Sequence, residues 1–595
     1  MTVTRIFDIL EKYQKNFIYD DALATKRKGK WDKFSTRDYI EKANNFSYGL
    51  LALGFKNGDK IATISNNRPE WNFVDMGMSQ TGVVHVPIYP TLSEEEYFHI
   101  LSHSDSKFLI VSDIALYDKL KLITNKIPTI KALYTFDEIK GALNWNEIID
   151  LGKRNADKYK NELQKIKKEI KPSDLHSIIY TSGTTGLSKG VMLSHNNFIS
   201  NILATKDLMP LVPKDIALSF LPLCHVFERM VNYTFQYMGI RIYYAENMGT
   251  IGANLKEIKA NFFVAVPRIL EGIYDKIISK GNDLSGIKKA LFFWAVKLGL
   301  RYELDRKNGI WYEIKLKIAR KLIFSKWMEA LGGRIKFIIS GGASLQPRLA
   351  RIFCAAGIPV LEGYGLTETS PSISVNHFSS PGSAKFGTVG PVINNVEVKI
   401  AEDGEIYTKG PNLMLGYYKN PEYTNQVIDK DGWFHTGDVG TIEDNKFLKI
   451  TDRKKEIFKT SSGKYVAPQV IENKLKESFF IEQIMVVGEN EKFVSALISP
   501  SFDYLHNWCT ENKIHFHNNE ELIKIPEVVT HYQKEIIKYN ETFSQTEHIK
   551  RFRLVHETWT SATGELSPTL KLKRSVIHDK YKNILEEIYG LSGLG

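Results

Sequence analysis

The chain has 595 residues, of which 43% are hydrophobic and 25% charged, and a formal net charge of +11. This length is too great for one hydrophobic core, so we expect at least two domains. The positive charge favours anionic partners such as nucleotides, CoA-like phosphates or anionic lipid. No zinc-finger or RNP motif accompanies it, and we therefore expect no nucleic-acid binding.

The N-terminal sequence MTVTRIFDILEKYQKNF has the pattern of an amphipathic helix and lacks the apolar centre of a signal peptide. No stretch approaches the roughly 18 apolar residues of a membrane span. The three cysteines (Cys224, Cys354 and Cys509) lie far apart and without metal-ligand spacing, which is typical of reduced thiols in a cytosolic protein. We therefore expect a cytoplasmic location.

Short apolar runs alternate with helical patterns through most of the first 450 residues. The runs are KIATISNN (60–67), GVVHVPIYP (82–90), SKFLIVSD (106–113), IALSFLPL (216–223), NFFVAVP (261–267), IKFIISGG (335–342) and IPVLEGYG (358–365). Continuous apolar strands that alternate with segments such as EWNFVDMGMSQT (70–81) predict buried, largely parallel sheets. Glycine and polar residues follow several of these strands, at the edge where ligands bind in such sheets.

Two segments have more charged helical patterns. Residues 155–174 predict a solvent-exposed helix that is stopped by Pro172. In residues 272–330, apolar side chains recur at i, i+4 spacing among many lysines and arginines, at Ile310, Ile314, Ile318 and Leu322. We interpret this segment as a helical pair packed on the body of the protein, and a peripheral contact with an anionic membrane through its lysines and residues 292–294 is the alternative.

The pattern changes after about residue 390. The stretch NNVEVKIAEDGEIYTKG (394–410) alternates by twos around Asp403 and Gly404, which predicts a hairpin. From about residue 451 the pattern is α+β, with QIMVVGENEKFVSALISP (483–500) as a strand pair. The predicted fold is α/β, with a large N-terminal domain (1–451) of layered α/β sheets and a small β-barrel-like subdomain, followed by a smaller α+β C-terminal domain (452–595).

The stretch YTSGTTGLSKG (180–190) has the composition of a loop that holds phosphate. Glycines, hydroxyl residues and Lys189 follow an apolar run, so backbone N–H groups and one positive charge could surround phosphate oxygens. The P-loop pattern G-x-x-x-x-G-K-[ST] is not met, because Ser188 stands where it needs glycine. A flexible turn between a strand and a helix is the alternative.

Three further segments carry groups that suit a nucleotide. EGYGLTETSP (362–371) combines small residues with the aromatic ring of Tyr364, the hydroxyl of Thr367 and the carboxylate of Glu368, which suit a base, a phosphate and a divalent cation. In GWFHTGD (432–438), the two oxygens of Asp438 can accept both hydroxyls of a ribose. SGGASL (340–345) also follows an apolar strand.

Six collinear motifs, spread over nearly the whole chain, resemble those of the adenylate-forming superfamily and, within it, of long-chain fatty acid–CoA ligases. They are YTSGTTGLSKG, LPLCHVFER (221–229), EGYGLTETSP, GWFHTGDVG (432–440), DRKKEIFKTSSGKYVAPQVIE (452–472) and GELSPTLKLKR (564–574). The resemblance implies ATP- and Mg²⁺-dependent conversion of a fatty acid into an acyl-adenylate, followed by transfer to CoA. The close alternative is a fatty acyl-AMP ligase that loads a carrier protein. A luciferase-like oxidation and a non-catalytic nucleotide- or lipid-binding scaffold are more distant alternatives.

The resemblance also implies roles for individual residues of the nucleotide site. The phosphate loop comprises Thr181, Ser182, Gly183, Thr184, Thr185, Gly186 and Lys189. The nucleotide pocket comprises Gly341, Gly342, Ala343, Glu362, Gly363, Tyr364 and Gly365, with Thr367 at the α-phosphate and Asp438 and Arg453 at the ribose. Mg²⁺ is assigned to Glu368 and Thr184.

Catalytic roles are assigned by the same resemblance to Lys571, Thr184, Glu368 and His225. Lys455 matches a hinge about which the mobile C-terminal domain swings between two half-reactions, and the loop ending at Gly463 matches the segment that faces the CoA thiol in the second. His225 lies where the family shapes the acyl and thiol passage, where it either gates or polarises, or simply packs. Leu570 precedes Lys571 where many relatives have glycine, so Lys573 is the alternative catalytic lysine.

Overall fold

The computed structural model describes residues 2–181, 188–461, 463–567 and 570–590. Helices and strands alternate up to residue 181: α1 (Ile6–Asn16), β1 (Leu23–Arg27), β2 (Lys30–Phe34), α2 (Thr36–Ala52), β3 (Lys60–Ile64), α3 (Pro69–Thr81), β4 (Val84–Ile88), α4 (Glu94–His103), β5 (Phe108–Val111), α5 (Ile114–Thr124), β6 (Ala132–Thr135), β7 (Leu143–Asn144), α6 (Asn146–Arg154), α7 (Ala156–Glu169) and β8 (Leu175–Thr181).

The alternation continues from residue 189 to residue 453. The elements are β9 (Lys189–Ser194), α8 (His195–Thr205), β10 (Ile216–Ser219), α9 (Val226–Met238), β11 (Arg241–Tyr244), α10 (Ile251–Ile258), β12 (Phe262–Ala265), α11 (Pro267–Asn282), α12 (Gly286–Gly299), α13 (Ile310–Ala319), α14 (Ser325–Ala330), β13 (Phe337–Ser340), α15 (Pro347–Ala355), β14 (Val360–Gly365), β15 (Ser372–Val375), β16 (Gly390–Pro391), β17 (Glu397–Ile400), β18 (Glu405–Lys409), β19 (Gly416–Tyr417), α16 (Pro421–Val427), β20 (Phe434–Glu443) and β21 (Phe447–Arg453).

The last part of the chain is shorter-range α+β, as its sequence predicts. It contains β22 (Phe458–Lys459), β23 (Tyr465–Val466), α17 (Pro468–Leu475), β24 (Ile481–Val487), β25 (Val494–Pro500), α18 (Phe502–Glu511), α19 (Asn519–Leu522), α20 (Pro526–Asn540), β26 (Ile549–Leu554), α21 (Arg574–Lys580) and α22 (Lys582–Gly590).

Two eight-stranded sheets form the larger part of the molecule. Their strand orders are β15-β14-β13-β12-β10-β11-β1-β2 and β19-β9-β8-β4-β3-β5-β6-β7. The seven apolar runs identified in the sequence are confirmed as strands, and the central pairs β3–β4, β3–β5, β12–β13 and β13–β14 are parallel. One apolar core, to which α2, α3, α8 and α9 contribute, is continuous across both sheets. The prediction of buried, largely parallel sheets is therefore confirmed.

The remaining sheets are mainly antiparallel, apart from the parallel pair of β25 and β26. The predicted hairpin around Asp403 and Gly404 is β17–β18, with Gly404 at φ +83°, and it belongs to a five-stranded sheet of order β16-β21-β20-β18-β17. The predicted pair in residues 483–500 is β24–β25, which β26 extends to three strands. The cores around these three strands consist of residues 458–588 and are separate from the core of the large sheets.

The basic segment 272–330 differs from the predicted helical pair. It contains most of α11, all of α12, α13 and α14, and a π-turn at Arg320–Phe324. The i, i+4 stripe on α13 and the following turn faces solvent, with Ile310 74% exposed and Ile314, Ile318 and Leu322 also exposed. The predicted packing of the segment on the body is correct, because Leu316, Ala319 and Phe324 are buried in the main core, but the i, i+4 stripe is not the packed face. In the part of the chain that is described, no helix is long and apolar enough to cross a membrane.

Candidate active site

The carboxyl ends of β13 and β14 form one side of the candidate site. Because these strands are parallel neighbours, with Ser340 opposite Glu362, the segments 341–343 and 363–365 come together at the same edge of the sheet. The Glu362 carboxylate accepts a hydrogen bond from the backbone N–H of Leu345 at 3.3 Å, and burial raises the pKa of Glu362 to about 8. Glu362 is therefore a buried link between two of the predicted nucleotide-binding segments.

Close packing explains two of the predicted glycines. A Cβ atom at Gly341 would lie 3.0 Å from the ring of Phe227, and one at Gly365 would lie 1.7 Å from the carbonyl oxygen of Pro371. Gly342 and Ala343, which follow Gly341, are exposed. The backbone approach at Gly365 accounts for that glycine without a ligand, whereas Gly342 and Ala343 present accessible backbone at the candidate site.

Tyr364, Asp438 and Arg453 form a connected group. The Tyr364 hydroxyl donates to Asp438 Oδ2 at 2.7 Å, and Arg453 Nε lies 3.2 Å from Asp438 Oδ1. The pairing of β20 with β21 places Asp438 directly opposite Arg453, and Asp438 is only 4% exposed. Burial and the Asp438 carboxylate raise the pKa of Tyr364 well above its usual value. Each Asp438 oxygen retains a further lone pair, so this carboxylate can still accept a ribose hydroxyl.

Glu368 lies in a 3₁₀ turn (Thr367–Thr369) that directly follows β14. Its Oε1 accepts a hydrogen bond from the Tyr417 hydroxyl at 2.8 Å, and its carbonyl oxygen accepts from the backbone N–H of Met414. Lys189 Nζ is 5.8 Å from the centre of the Tyr417 ring and 3.3 Å from that of Tyr423. The tertiary structure thus brings both Lys189 and Glu368 close to Tyr417.

The predicted phosphate loop lies only partly within the described residues. Ser182, Gly183, Thr184, Thr185 and Gly186 lie outside the described residues. The flanking residues Thr181 and Lys189 face each other as the last residue of β8 and the first of β9, which are antiparallel. The segment therefore joins two strands of a hairpin, and the alternative of a turn between a strand and a helix is wrong.

The prediction that Glu368 binds Mg²⁺ agrees with the chemistry of its carboxylate. Among the residues described, no group of three or more His, Cys, Asp or Glu side chains could enclose a metal ion. Mg²⁺ in nucleotide sites is commonly held by one or two carboxylates together with substrate phosphates. A single carboxylate near the phosphate-loop lysine has the chemistry that such an ion requires.

Lys571 comes from the C-terminal part of the chain and enters the same site. It is preceded by Leu570, whose φ of +62° lies in the region that favours glycine. Burial of the ammonium and the nearby Arg453 lower the pKa of Lys571 to about 8, whereas Asp438 and Glu368 act in the opposite direction. The residue as a whole remains exposed. Lys571 is therefore placed among the predicted ribose and metal residues.

Lys573 lies in a different position from Lys571. It is the residue before α21, and its backbone N–H donates to the carbonyl oxygen of Glu565 at 2.8 Å. The ion pairs that hold this segment belong to Arg574, which pairs with Glu456 and Glu472 at 2.9 and 2.8 Å. The interactions described for Lys573 therefore include neither Asp438 nor Glu368.

His225 stands at the start of α9. Its Nδ1 accepts a hydrogen bond from the backbone N–H of Phe227 at 3.2 Å, which places the proton of the neutral ring on Nε2. Burial and the positive charge of Lys571 lower the pKa of His225 to about 4. The ring of Tyr89 lies 6.4 Å away. His225 is therefore a neutral imidazole near pH 7, within electrostatic reach of Lys571.

A buried ion pair lies one helical turn beyond His225. Arg229 on α9 is completely buried and contacts Asp75 on α3 at 2.6 Å, with further hydrogen bonds to Ser177 and Tyr233. Arg229 keeps the pKa of Asp75 well below its usual range. His85 also contacts Asp75 at 2.6 Å, and burial lowers the pKa of His85 to about 4. This cluster ties α9, and with it His225, to the parallel sheet.

The predicted hinge residue and the end of the predicted thiol-facing loop are both exposed. Lys455 is exposed in the turn that directly follows β21. Gly463, with φ +76°, is exposed in the turn between β22 and β23.

Two of the tyrosines at the site were not identified from the sequence. Tyr417 and Tyr423 lie in a stretch with no glycine-rich or charged pattern, LGYYKNPEYT (415–424). They reach the site because β19 pairs with β9 across more than two hundred residues. No local signal in the sequence could have found them.

Comparison with known families identifies two matching regions. Residues 12–418 match the family described as AMP-binding enzyme, and residues 455–592 match the AMP-binding enzyme C-terminal domain. Fatty acyl-CoA synthetase A of Dictyostelium discoideum is 30% identical, over 99% of this chain and 90% of that protein. The human protein named long-chain-fatty-acid–CoA ligase 1 is also 30% identical, over 94% of this chain and 82% of its own length.

Solved structures share the overall architecture. The anthranilate CoA ligase AuaEII in complex with anthranoyl-AMP has a TM-score of 0.72 at 17% identity and covers 98% of both chains. The fatty acyl CoA synthetase of Mycobacterium tuberculosis has a TM-score of 0.60 at 19% identity and covers 98% of this chain and 99% of its own. At these identities the comparison establishes the fold.

Proposed function

Because the chain belongs to the AMP-binding enzyme family, we propose that it activates a long-chain fatty acid with ATP and transfers the acyl group to CoA, releasing AMP and pyrophosphate. Relatives with long-chain fatty acyl-CoA ligase names span nearly the whole chain. The observation that carries the proposal is the connected group of Tyr364, Asp438 and Arg453, with Lys571 within electrostatic range of Asp438, Glu368 and His225. ATP, Mg²⁺ and CoA are the implied cofactors.

The first half-reaction makes a carboxylate reactive. A carboxylate oxygen attacks the α-phosphorus of ATP, a new O–P bond forms, and the bond to the β-phosphate breaks as pyrophosphate leaves. Negative charge grows on the phosphoryl oxygens, and the ammonium of Lys571 and the guanidinium of Arg453 lie in one cleft where they can stabilise it. Glu368 would hold Mg²⁺, which supplies further positive charge at the phosphates.

The nucleotide is held by the group on β14 and β20. Asp438 would accept the ribose hydroxyls, and Arg453 pairs with its carboxylate and orients it. Tyr364 offers its ring to the adenine while its hydroxyl donates to Asp438. The accessible backbone of Gly342 and Ala343 would complete this pocket.

The second half-reaction needs a different arrangement of the C-terminal domain. We assign the division of the chain to residues 451 and 452, with Lys455 in the hinge that follows. When the domain turns, Lys571 would leave the cleft and the loop ending at Gly463 would approach it. The CoA sulfur then attacks the acyl carbon, a C–S bond forms, the thiol proton is released, and AMP leaves. His225, which is neutral near pH 7, would shape this passage without adding charge.

Release of AMP from ATP and palmitate, with and without CoA, tests the reaction. A long-chain fatty acid–CoA ligase should show strong stimulation by CoA together with formation of palmitoyl-CoA. Turnover that requires a carrier protein would indicate the acyl-AMP ligase instead, and oxygen consumption would indicate oxidation of the adenylate. Absence of AMP release under all these conditions would contradict the proposal of an enzyme.

We also assign a peripheral membrane contact to α12 and α13. Ile287 is 80% exposed and Trp311 76% exposed, and the outward stripe of α13 continues this apolar surface. Exposed lysines surround it, at positions 288, 289, 297, 307, 315, 317 and 321. Phe292, which the sequence suggested as part of this surface, is buried in the core. Apolar side chains within a ring of lysines fit the surface of an anionic bilayer.

Sedimentation with lipid vesicles tests this contact. Binding should be stronger to vesicles that contain an anionic lipid than to neutral vesicles, and it should weaken as salt is added. The double variant Ile310→Ser and Trp311→Ser should bind less. Leu122→Ser is the matched control, because Leu122 is 70% exposed on the separate helix α5. Equal loss in both variants, or indifference to lipid charge, would contradict the assignment.

A further inference from the structure

Helix α11 contacts the C-terminal domain through a partly buried ion pair. Arg268 donates to Glu482 at the start of β24 and also pairs with Glu271 on its own helix at 3.2 Å. The Arg268 and Glu482 side chains are 31% and 25% exposed. Since water has limited access to this pair, its attraction is screened less than that of a surface pair.

A stack of aromatic rings lies beside this ion pair. The ring of Phe479, from the C-terminal domain, stacks on Tyr274 of α11 with centroids 6.3 Å apart, and on Tyr504 of its own domain at 5.5 Å. The guanidinium of Arg348 lies 5.7 Å from the rings of both Tyr274 and Phe479. The Tyr504 hydroxyl donates to the carbonyl oxygen of Asp275 at 3.3 Å. The contact thus combines ring stacking with a cation over two rings.

Gln346 connects this contact to the nucleotide side of the cleft. Its Nε2 donates to Glu271 and to the carbonyl oxygen of Lys476, both at 3.2 Å, and the residue is buried. Gln346 follows Leu345, whose backbone N–H donates to Glu362. Only two residues separate it from Ala343, so one short segment contacts the C-terminal domain and lines the proposed adenine pocket.

We propose that Arg268, Gln346 and Phe479 are positioning residues that hold the C-terminal domain in the arrangement for adenylation. The same structure that forms these contacts places Lys571 beside Arg453 and Asp438. The inference rests on the proposed two-step function, in which the domain turns away for thioester formation. Contacts made in only one arrangement shift the equilibrium toward it. Weakening them therefore slows the step that needs Lys571 and spares the step that does not.

The variant Glu482→Gln tests the ion pair with little change in shape. Pyrophosphate release from ATP and palmitate without CoA should fall about twofold to fivefold, as expected for loss of a partly buried pair. Thioester formation from supplied palmitoyl-adenylate and CoA should be unchanged or faster. Arg268→Gln should act in the same direction, and the double variant should be no slower than Arg268→Gln alone, because Arg268→Gln already removes the ion pair that Glu482→Gln removes.

Glu477→Gln is the matched control. Glu477 is in the same domain, and it pairs at 2.9 Å with Lys474 in the last turn of α17. Both half-reactions should proceed at the wild-type rate in this variant. Equal slowing of both half-reactions by Glu482→Gln, with a lower melting temperature, would overturn the inference in favour of a structural role. Unchanged rates in Glu482→Gln would also overturn it, whereas a wild-type protein that releases no pyrophosphate would contradict the proposed function itself.

Discussion

Replacing Lys571 with alanine should affect one half-reaction and spare the other. The amine lies among Arg453, Asp438 and Glu368, where charge develops when pyrophosphate leaves. Loss of such a charge-assisted contact in the transition state is commonly worth a few kcal/mol, or on the order of 10²–10³ in rate. Adenylation should fall by this factor in Lys571→Ala. Conversion of supplied acyl-adenylate and CoA should remain near the wild-type rate.

The pKa of Lys571 adds a pH dependence to this prediction. Its pKa is lowered to about 8, so the ammonium is charged below this pH and loses its proton above it. If adenylation requires the charged form, kcat/KM should decrease above about pH 8, by roughly tenfold for each further pH unit. Lys571→Arg, whose side chain stays charged, should lack this decrease even if it is slower overall. The thioester half-reaction should lack it in all variants.

Measurement of pyrophosphate release and of acyl-CoA formation in separate assays tests the reasoning. Lys573→Ala is the control for the choice of lysine and should retain both half-reactions. If Lys573→Ala has the selective defect and Lys571→Ala does not, the catalytic lysine is misassigned by two residues. If both half-reactions collapse together in Lys571→Ala, the idea of a lysine reserved for one domain arrangement is refuted.

Four further substitutions test other parts of the site. Glu368→Ala should reduce the rate of adenylation at least about 100-fold, and Tyr417→Phe should raise the Mg²⁺ concentration that adenylation requires. A Mg²⁺ titration tests both variants. A wild-type dependence of the adenylation rate on Mg²⁺ in Glu368→Ala would contradict the metal assignment. Arg229→Met should lower the free energy of unfolding by about 3–5 kcal/mol, because it leaves Asp75 buried without its cation, and an unchanged urea midpoint would oppose this. Leu570→Gly should leave the melting temperature nearly unchanged. Glycine removes backbone strain of about 1 kcal/mol at the positive φ of residue 570, and this gain offsets the apolar contact that the leucine side chain loses. A large fall in melting temperature would argue against that strain.

The sequence was sufficient to predict the strands and the order along the chain of the motifs that carry the chemistry. Apolar runs such as residues 60–67 and 335–342 became buried strands, because a parallel strand covered on both faces needs continuous apolar residues. The hairpin at Asp403 and Gly404 was equally predictable, because its turn chemistry is local. The collinear motifs indicated the family, and the comparisons confirmed it.

Tertiary structure alone decided which side chains meet. Tyr417 donates to Glu368, and Lys571 comes within electrostatic range of Asp438, through strand pairing and domain packing that join residues far apart in the chain. The stripe beginning at Ile310 shows the same limit in another way. Its i, i+4 spacing correctly places the side chains on one helical face, but periodicity contains no information about whether that face meets the core or solvent. Only the position of the neighbouring helices determines that, because burial is a property of the packed chain rather than of any local segment.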